Sequence, residues 1–192
     1  MIDELCRMCQ QTRVMLKKVW KGFLTHEKLP LQEADKIGQE IDAMCLDLTS
    51  RLAESEDKIL TPLPGEFERI GDSFQSILHT VISKITNDIM FSERAVKEVG
   101  SLFEGVDELL ECLSDVIKTK NRVLINHITE RSAELSQLSM DYTCAHSDRL
   151  IGGLCFPKSA PIYLDMLDSL RNIAIHIRTI AERINQETKV SN

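Results

Sequence analysis

Between Ala95 and Ile117 apolar residues return at alternating steps of four and three: Ala95, Val99, Leu102, Val106, Leu109, Leu113 and Val116, with Phe103, Leu110 and Ile117 widening the row. A strand alternates its faces every second residue, so this period belongs to an amphipathic helix. Three more stretches repeat it. They run Leu31, Ala34, Ile37, Ile41, Met44, Cys45, Leu48, Leu52, then Phe67, Ile70, Phe74, Ile77, Leu78, Val81, Ile85, and finally Leu164, Leu167, Leu170, Ile173, Ala174, Ile177, Ile180, Ala181, Ile184. Each stripe covers one face and needs partner helices to shield it from water.

The breaks between stripes are few and evenly spaced. Lys28-Leu29-Pro30 ends a first segment. Thr61-Pro62-Leu63-Pro64-Gly65 is a second break, at which Thr61 is expected to cap a helix with Pro62 in its first turn. Ser92 is a candidate cap after Phe91, Lys120-Asn121 divides the fourth segment from the fifth, and Gly152-Gly153 with Phe156-Pro157 divides the fifth from the sixth. The result is an all-α chain of six helices in two sets of three, each set ending in a long helix after a proline-containing break. We read an internal repeat, residues 1–90 and 91–192, folded as two tandem antiparallel three-helix bundles.

Composition agrees and narrows the function. Hydrophobic residues make up 43% of the 192 and aromatics only 5%, a mixture suited to helix-on-helix packing. The net charge of −7 argues against nucleic acid as a partner, because an acidic chain gains nothing from neutralising phosphates. No stretch approaches the ~20 apolar residues of a membrane helix, and the acidic start Met1-Ile2-Asp3-Glu4 does not look like a signal peptide. The expected place is the cytoplasm, with any membrane association peripheral and through a protein partner. The six cysteines, Cys6, Cys9, Cys45, Cys112, Cys144 and Cys155, read as reduced, buried thiols. Cys6-Arg7-Met8-Cys9 lacks the second Cys/His pair of a zinc site and reads as two core-facing thiols one turn apart.

The most informative stretch is Glu68-Arg69-Ile70-Gly71-Asp72. Four residues separate the two acids, so both project from one helix face, away from the apolar stripe. Such a pair repels unless a neighbouring Lys or Arg, or a hard cation, neutralises it. Gly71 inside a helix costs about 1 kcal/mol relative to Ala, which close packing against another helix could offset.

The same stretch, Phe67-Glu68-Arg69-Ile70-Gly71-Asp72-Ser73-Phe74, resembles the signature of the PhoU family, carried on the third helix of a three-helix repeat. Glu33 to Asp42 is similar to the acidic part of that family's second helix. Cys144-Ala145-His146-Ser147-Asp148-Arg149-Leu150 with Gly152 and Gly153 resembles the ending of PhoU-like domains attached to sodium/phosphate cotransporters. The resemblance spans nearly the whole chain. It implies two three-helix bundles, no enzymatic activity, and regulation of phosphate uptake and phosphate signalling through contacts with a phosphate transporter or a phosphate sensor kinase. It also implies a bound iron, zinc, manganese or magnesium ion held by acids four apart on adjacent helices. Carried over, it points to Glu68 and Asp72 on the third helix, to Asp35 on the second (with Leu31 where another acid should stand), and to Glu130 and Glu134 on the fifth. On the sixth, Arg171 and Ile175 occupy the acid positions. A guanidinium there could pair with Glu130 and Glu134 and repel a cation, so any ion is expected in the first half, around Asp35, Glu68 and Asp72.

Other residues read plainly. His146 and Arg149 suit a helix C-terminus, His176 a helix shoulder, and Trp20 a core boundary. Ile175 is a harmless exposed residue or part of a contact with a partner or a second copy. No Ser/His/Asp set, phosphate loop or Glu-x-x-His stands out, so catalysis finds no support. The alternatives to a regulatory adaptor are a metal-binding or storage protein, the soluble regulatory domain of a sodium/phosphate cotransporter, and a helical scaffold unconnected with phosphate.

Overall fold

The structure, a computed structural model, describes residues 1–54 and 60–190, with side chains through residue 186. Six long helices follow in order: α1 Ile2–Thr25, α2 Leu29–Ala53, α3 Leu63–Thr86, α4 Glu93–Thr119, α5 Arg122–Ile151 and α6 Ala160–Val190, the last preceded by a single 3₁₀ turn at Pro157–Ser159.

Local chemistry sets most of the ends. Ser92 caps α4, its Oγ accepting from the Ala95 N–H at 3.2 Å. Lys120 ends the same helix in the left-handed region, and Asn121 starts the next by accepting from the Val123 N–H at 2.9 Å. Pro30 and Pro64 lie in the first turns of α2 and α3, where a missing N–H is no loss. The expected cap at Thr61 is displaced. Pro62, already in helical conformation, takes the cap position and α3 begins at Leu63, without a side-chain cap hydrogen bond. The end of α1 carries no basic residue of its own. Lys84 of α3 supplies the charge instead, donating to the Phe23 carbonyl at 3.1 Å and meeting His26, the left-handed residue that ends α1. Burial pushes the Lys84 ammonium down to about 8.

The apolar stripes meet in one continuous core. All ten residues of the α4 row are buried, as are Phe67, Ile70, Phe74, Ile77, Leu78 and Val81 of α3 and the α6 row from Leu167 to Ile184. Besides packing on its sequence neighbours, α1 packs on α4 and α3 on α6, so the core runs through both sets of three helices. Trp20 is one of the links. Its ring stacks on Phe23 and on Phe103 of α4, at centroid distances of 5.2 and 4.9 Å. Helix α5 approaches α6 through small polar residues: Ser132 Oγ donates to the Ala174 carbonyl at 2.8 Å, and Ser139 Oγ to that of Leu167 at 3.1 Å. Cys6, Cys9 and Cys45 are buried free thiols in this core, whereas Cys112 and Cys155 are half-buried and Cys144, against the expectation of burial, is exposed on the polar side of α5.

Candidate functional site

Helices α2 and α3 run side by side in a register that sets Gly38 against Gln75 and Asp42 against Gly71. Glu68 and Asp72 lie on the exposed shoulder of α3, as their distance from the apolar stripe requires. The acid facing them from α2 is Asp42. Partial burial, followed by the charges of Asp72, Glu68 and Asp35, raises its carboxyl above the usual carboxylate range. Asp35 stands further along, accepting from Gln39 at 3.0 Å on one oxygen and from Gln75 at 3.3 Å on the other. Sequence reasoning passed over Asp42 because the four-residue spacing drew attention to Leu31 and Asp35. The register, which no spacing within α2 reveals, selects Asp42.

Gly71 is not squeezed between helices. A Cβ there would find only Asp42 Oδ1, at 3.4 Å, whereas one at Gly105 would lie 2.4 Å from the Leu135 side chain. Tight helix contacts lie instead at Gly105, between α4 and α5, and at Gly22, where a Cβ would come within 2.7 Å of the Leu31 side chain of α2.

In the second half the equivalent face is charge-paired. Glu134 accepts from Arg131 at 3.1 Å, and Arg131 also reaches Glu108 at 3.0 Å, which His127 joins at 2.9 Å. Arg171 pairs with Asp168, one turn back on its own helix, rather than with Glu130 or Glu134. Glu130 is exposed, and Ile175 is half-buried. Among the described residues, no three His, Cys, Asp or Glu side chains group closely enough to hold a metal ion. The side chains as placed do not fit a resident ion at either set of acids.

Two buried carboxylates that sequence reasoning did not single out are the most heavily committed charges. Glu98 of α4 is 6% exposed. It accepts from both terminal nitrogens of Arg149 at 3.0 and 2.8 Å, from Arg94 at 2.9 Å, and from the Tyr163 hydroxyl. Burial alone would push this carboxyl up, but the hydrogen bonds from Tyr163, Arg149 and Arg94 outweigh it and hold it below the usual range. Glu66 of α3 is 2% exposed and binds His176 Nδ1 at 2.9 Å, Arg69 at 3.0 Å and, more loosely, Arg183 at 3.4 Å. His176 and Arg183 come from α6, so this node ties the two halves together.

His146 and Arg149 thus do more than complement a helix end. Arg149 turns inward to Glu98, and the His146 ring lies against Tyr163 with centroids 4.5 Å apart. Burial first, and then the Arg149 charge, lower the His146 imidazole below its ordinary range. The available signal was the three-residue step from His146 to Arg149, which puts both side chains on one face of α5.

No family model matches the sequence, and no curated protein matches it. Among solved structures, that of PhoU from Pseudomonas aeruginosa superposes with a TM-score of 0.87, over 98% of this chain and 95% of that one, at 15% sequence identity. The chain therefore has the PhoU fold over nearly its whole length.

Proposed function

We propose that this chain is a cytoplasmic regulatory adaptor of phosphate uptake and phosphate signalling, acting by protein–protein contact with a phosphate transporter or a phosphate sensor kinase and not by catalysis. The observation that carries the reading is the match in fold to PhoU from end to end, with little left over on either chain. The two three-helix units, 1–90 and 91–192, are read as repeats of one ancestral bundle.

A surface suited to such contact lies at one end of the molecule. The α3–α4 loop and the α5–α6 loop meet there around an apolar groove of about 450 Å³ lined by Ile89, Met90, Phe156 and Pro157. Beside it Ile151, Leu154 and Phe156 are 87%, 78% and 71% exposed. Water-exposed clusters of large apolar side chains mark contact sites more often than chance. Among the described residues no helix is long and apolar enough to cross a membrane, so membrane association in this reading is through the partner.

The test is a deletion strain complemented with the wild-type gene or with Phe156→Asp. Phosphate uptake and phosphate-responsive gene expression should change on deletion, return with the wild type, and return only in part with the variant. An unchanged response on deletion sinks the phosphate assignment.

One observation favours a second reading, in which a metal ion is the purpose. The carboxylates of Asp42, Asp72 and Glu68 crowd one another without a cationic partner strong enough to prevent Asp42 from rising. A hard cation would relieve that crowding after side-chain rearrangement. Elemental analysis of protein purified without chelator, alongside Glu68→Ala/Asp72→Ala, separates the readings. Stoichiometric metal that the variant loses supports the second; metal-free protein with a normal phosphate response supports the first.

A further inference from the structure

The six cysteines occupy very different surroundings. Cys6, Cys9 and Cys45 are buried and Cys112 half-buried, and burial pushes all four thiols up, Cys45 to about 12. Two remain. Cys144 is exposed on α5 and has no hydrogen-bonding partner among the described residues. Cys155, in the loop before α6, is half-buried. Its Sγ lies 3.8 Å from His146 Nδ1, with the Arg149 guanidinium nearby.

A second observation points to a guest at this corner. Cys155 and His146 line a cavity of about 40 Å³ whose wall is mostly apolar, from Phe91, Leu154 and Phe156, and whose other polar groups belong to Ser92, Ser159 and Tyr163. His146 is 3% exposed, and its Nε2 has no hydrogen-bond partner. A buried polar nitrogen without a partner costs free energy, and a small polar molecule in the cavity would supply one. The space exceeds the ~10–15 Å³ that one water requires and admits little more than hydrogen peroxide.

We propose that Cys155 is a peroxide-reactive thiol, oxidised to a sulfenic acid in the corner formed by His146 and Arg149, in preference to the more exposed Cys144.

The chemistry uses groups already in place. His146, neutral because burial disfavours its cation, acts as a relay: Nδ1 takes the Cys155 proton as Nε2 gives its own hydrogen to the departing peroxide oxygen, so no imidazolium stands. The thiolate sulfur attacks one peroxide oxygen. An S–O bond forms as the O–O bond breaks, the sulfur is oxidised by two electrons, and the peroxide is reduced. The departing oxygen takes the Nε2 hydrogen of His146 and leaves as water, and the ring keeps the thiol's proton on Nδ1, so thiol plus hydrogen peroxide become sulfenic acid plus water.

Exposure and environment make opposite forecasts, which gives an internal control. The full-length protein is treated with limiting hydrogen peroxide, trapped with dimedone, digested, and each cysteine peptide quantified by mass spectrometry. Exposure alone predicts that Cys144 is labelled first. The proposal predicts that Cys155 is labelled at least about ten-fold faster, a conservative fraction of what a positioned proton acceptor contributes. Repeating the reaction in denaturing urea should abolish the difference. His146→Gln should bring Cys155 to the rate of Cys144 while leaving Cys144 unchanged. If Cys144 leads or the two react equally in the folded wild type, the proposal is overturned without recourse to any variant. Undiminished Cys155 labelling in a folded His146→Gln protein overturns it too.

Discussion

Glu98 and the α2/α3 acids are the same kind of side chain under opposite electrostatic conditions. Glu98 is almost fully removed from water yet holds its proton less firmly than an ordinary glutamate, because Arg149, Arg94 and Tyr163 converge on it. Asp42 remains exposed at the surface yet holds its proton more firmly than usual, because partial burial combines with the carboxylates of Asp72, Glu68 and Asp35. Burial by itself therefore does not decide how a carboxylate behaves in this fold. The partners decide, and they come from other helices. The buried acids hold the helices together, while the exposed ones repel across the α2–α3 seam.

The sharpest way to break that comparison is to remove one acid of each kind. Glu98→Ala strands the Arg149 guanidinium, itself largely buried, without its carboxylate. Losing one partner of a buried pair costs about 3–5 kcal/mol, a large part of the roughly 5–15 kcal/mol that keeps a domain folded. Glu68→Ala, at an exposed position, should change stability by no more than about 0.5 kcal/mol in either direction. Urea unfolding of both variants measures the difference, and equal losses would refute the distinction.

Acid titration separates them again. A carboxyl held below its unfolded value stabilises the fold fully above that value, about 4.3 for glutamate, and the contribution disappears as pH falls through the lower native value. Stability should therefore drop in the wild type as pH falls below about 5. Glu98→Gln should begin less stable at neutral pH and lose less across that window. A parallel loss in both proteins would remove Glu98 as the cause.

The helical plan was open to reading because it depends on one-dimensional periodicity: the stripes of α3, α4 and α6 are the core, and Ser92 caps where its position suggested. Helix α5 was harder. Its buried face includes Ser132, Ser139 and His146, polar residues satisfied by α6 or turned into the core, and hydropathy cannot distinguish them from a wet surface. The charged nodes were hidden for a related reason. Glu66 and Glu98 meet partners 110 and 51 residues away, so no local pattern announces them. The motif around Glu68 and Asp72 was visible, but its facing acid depends on the α2–α3 register, and that moved the emphasis from Asp35 to Asp42.

Gly71 tests how closely that seam is packed. The nearest atom to an added Cβ is Asp42 Oδ1, at 3.4 Å, an ordinary contact. Gly71→Ala should therefore keep most of the helix-propensity gain and stabilise the protein by up to about 1 kcal/mol. Thermal unfolding reads this as a small rise in Tm. A clear fall would mean that α2 and α3 lie closer than this geometry allows.

The smallest effect carries the opposite sign from Glu98. Asp42→Asn removes one of several mutually repelling carboxylates, and water screens what repulsion remains at this exposed position. The expected gain at neutral pH is a few tenths of a kcal/mol. Because the native Asp42 carboxyl is raised, the wild type regains that amount on acidification. Protonation begins in the folded state first, so the advantage of the variant shrinks as pH falls through the raised native value and is gone below about 3.9, where the unfolded carboxyl also protonates. Added salt should shrink it as well. Paired unfolding curves at neutral and acid pH, at low and high ionic strength, measure the gain. A stabilisation that persists below that pH would show that the introduced amide gains from packing rather than from relief of charge, and would remove the repulsion from the α2–α3 seam.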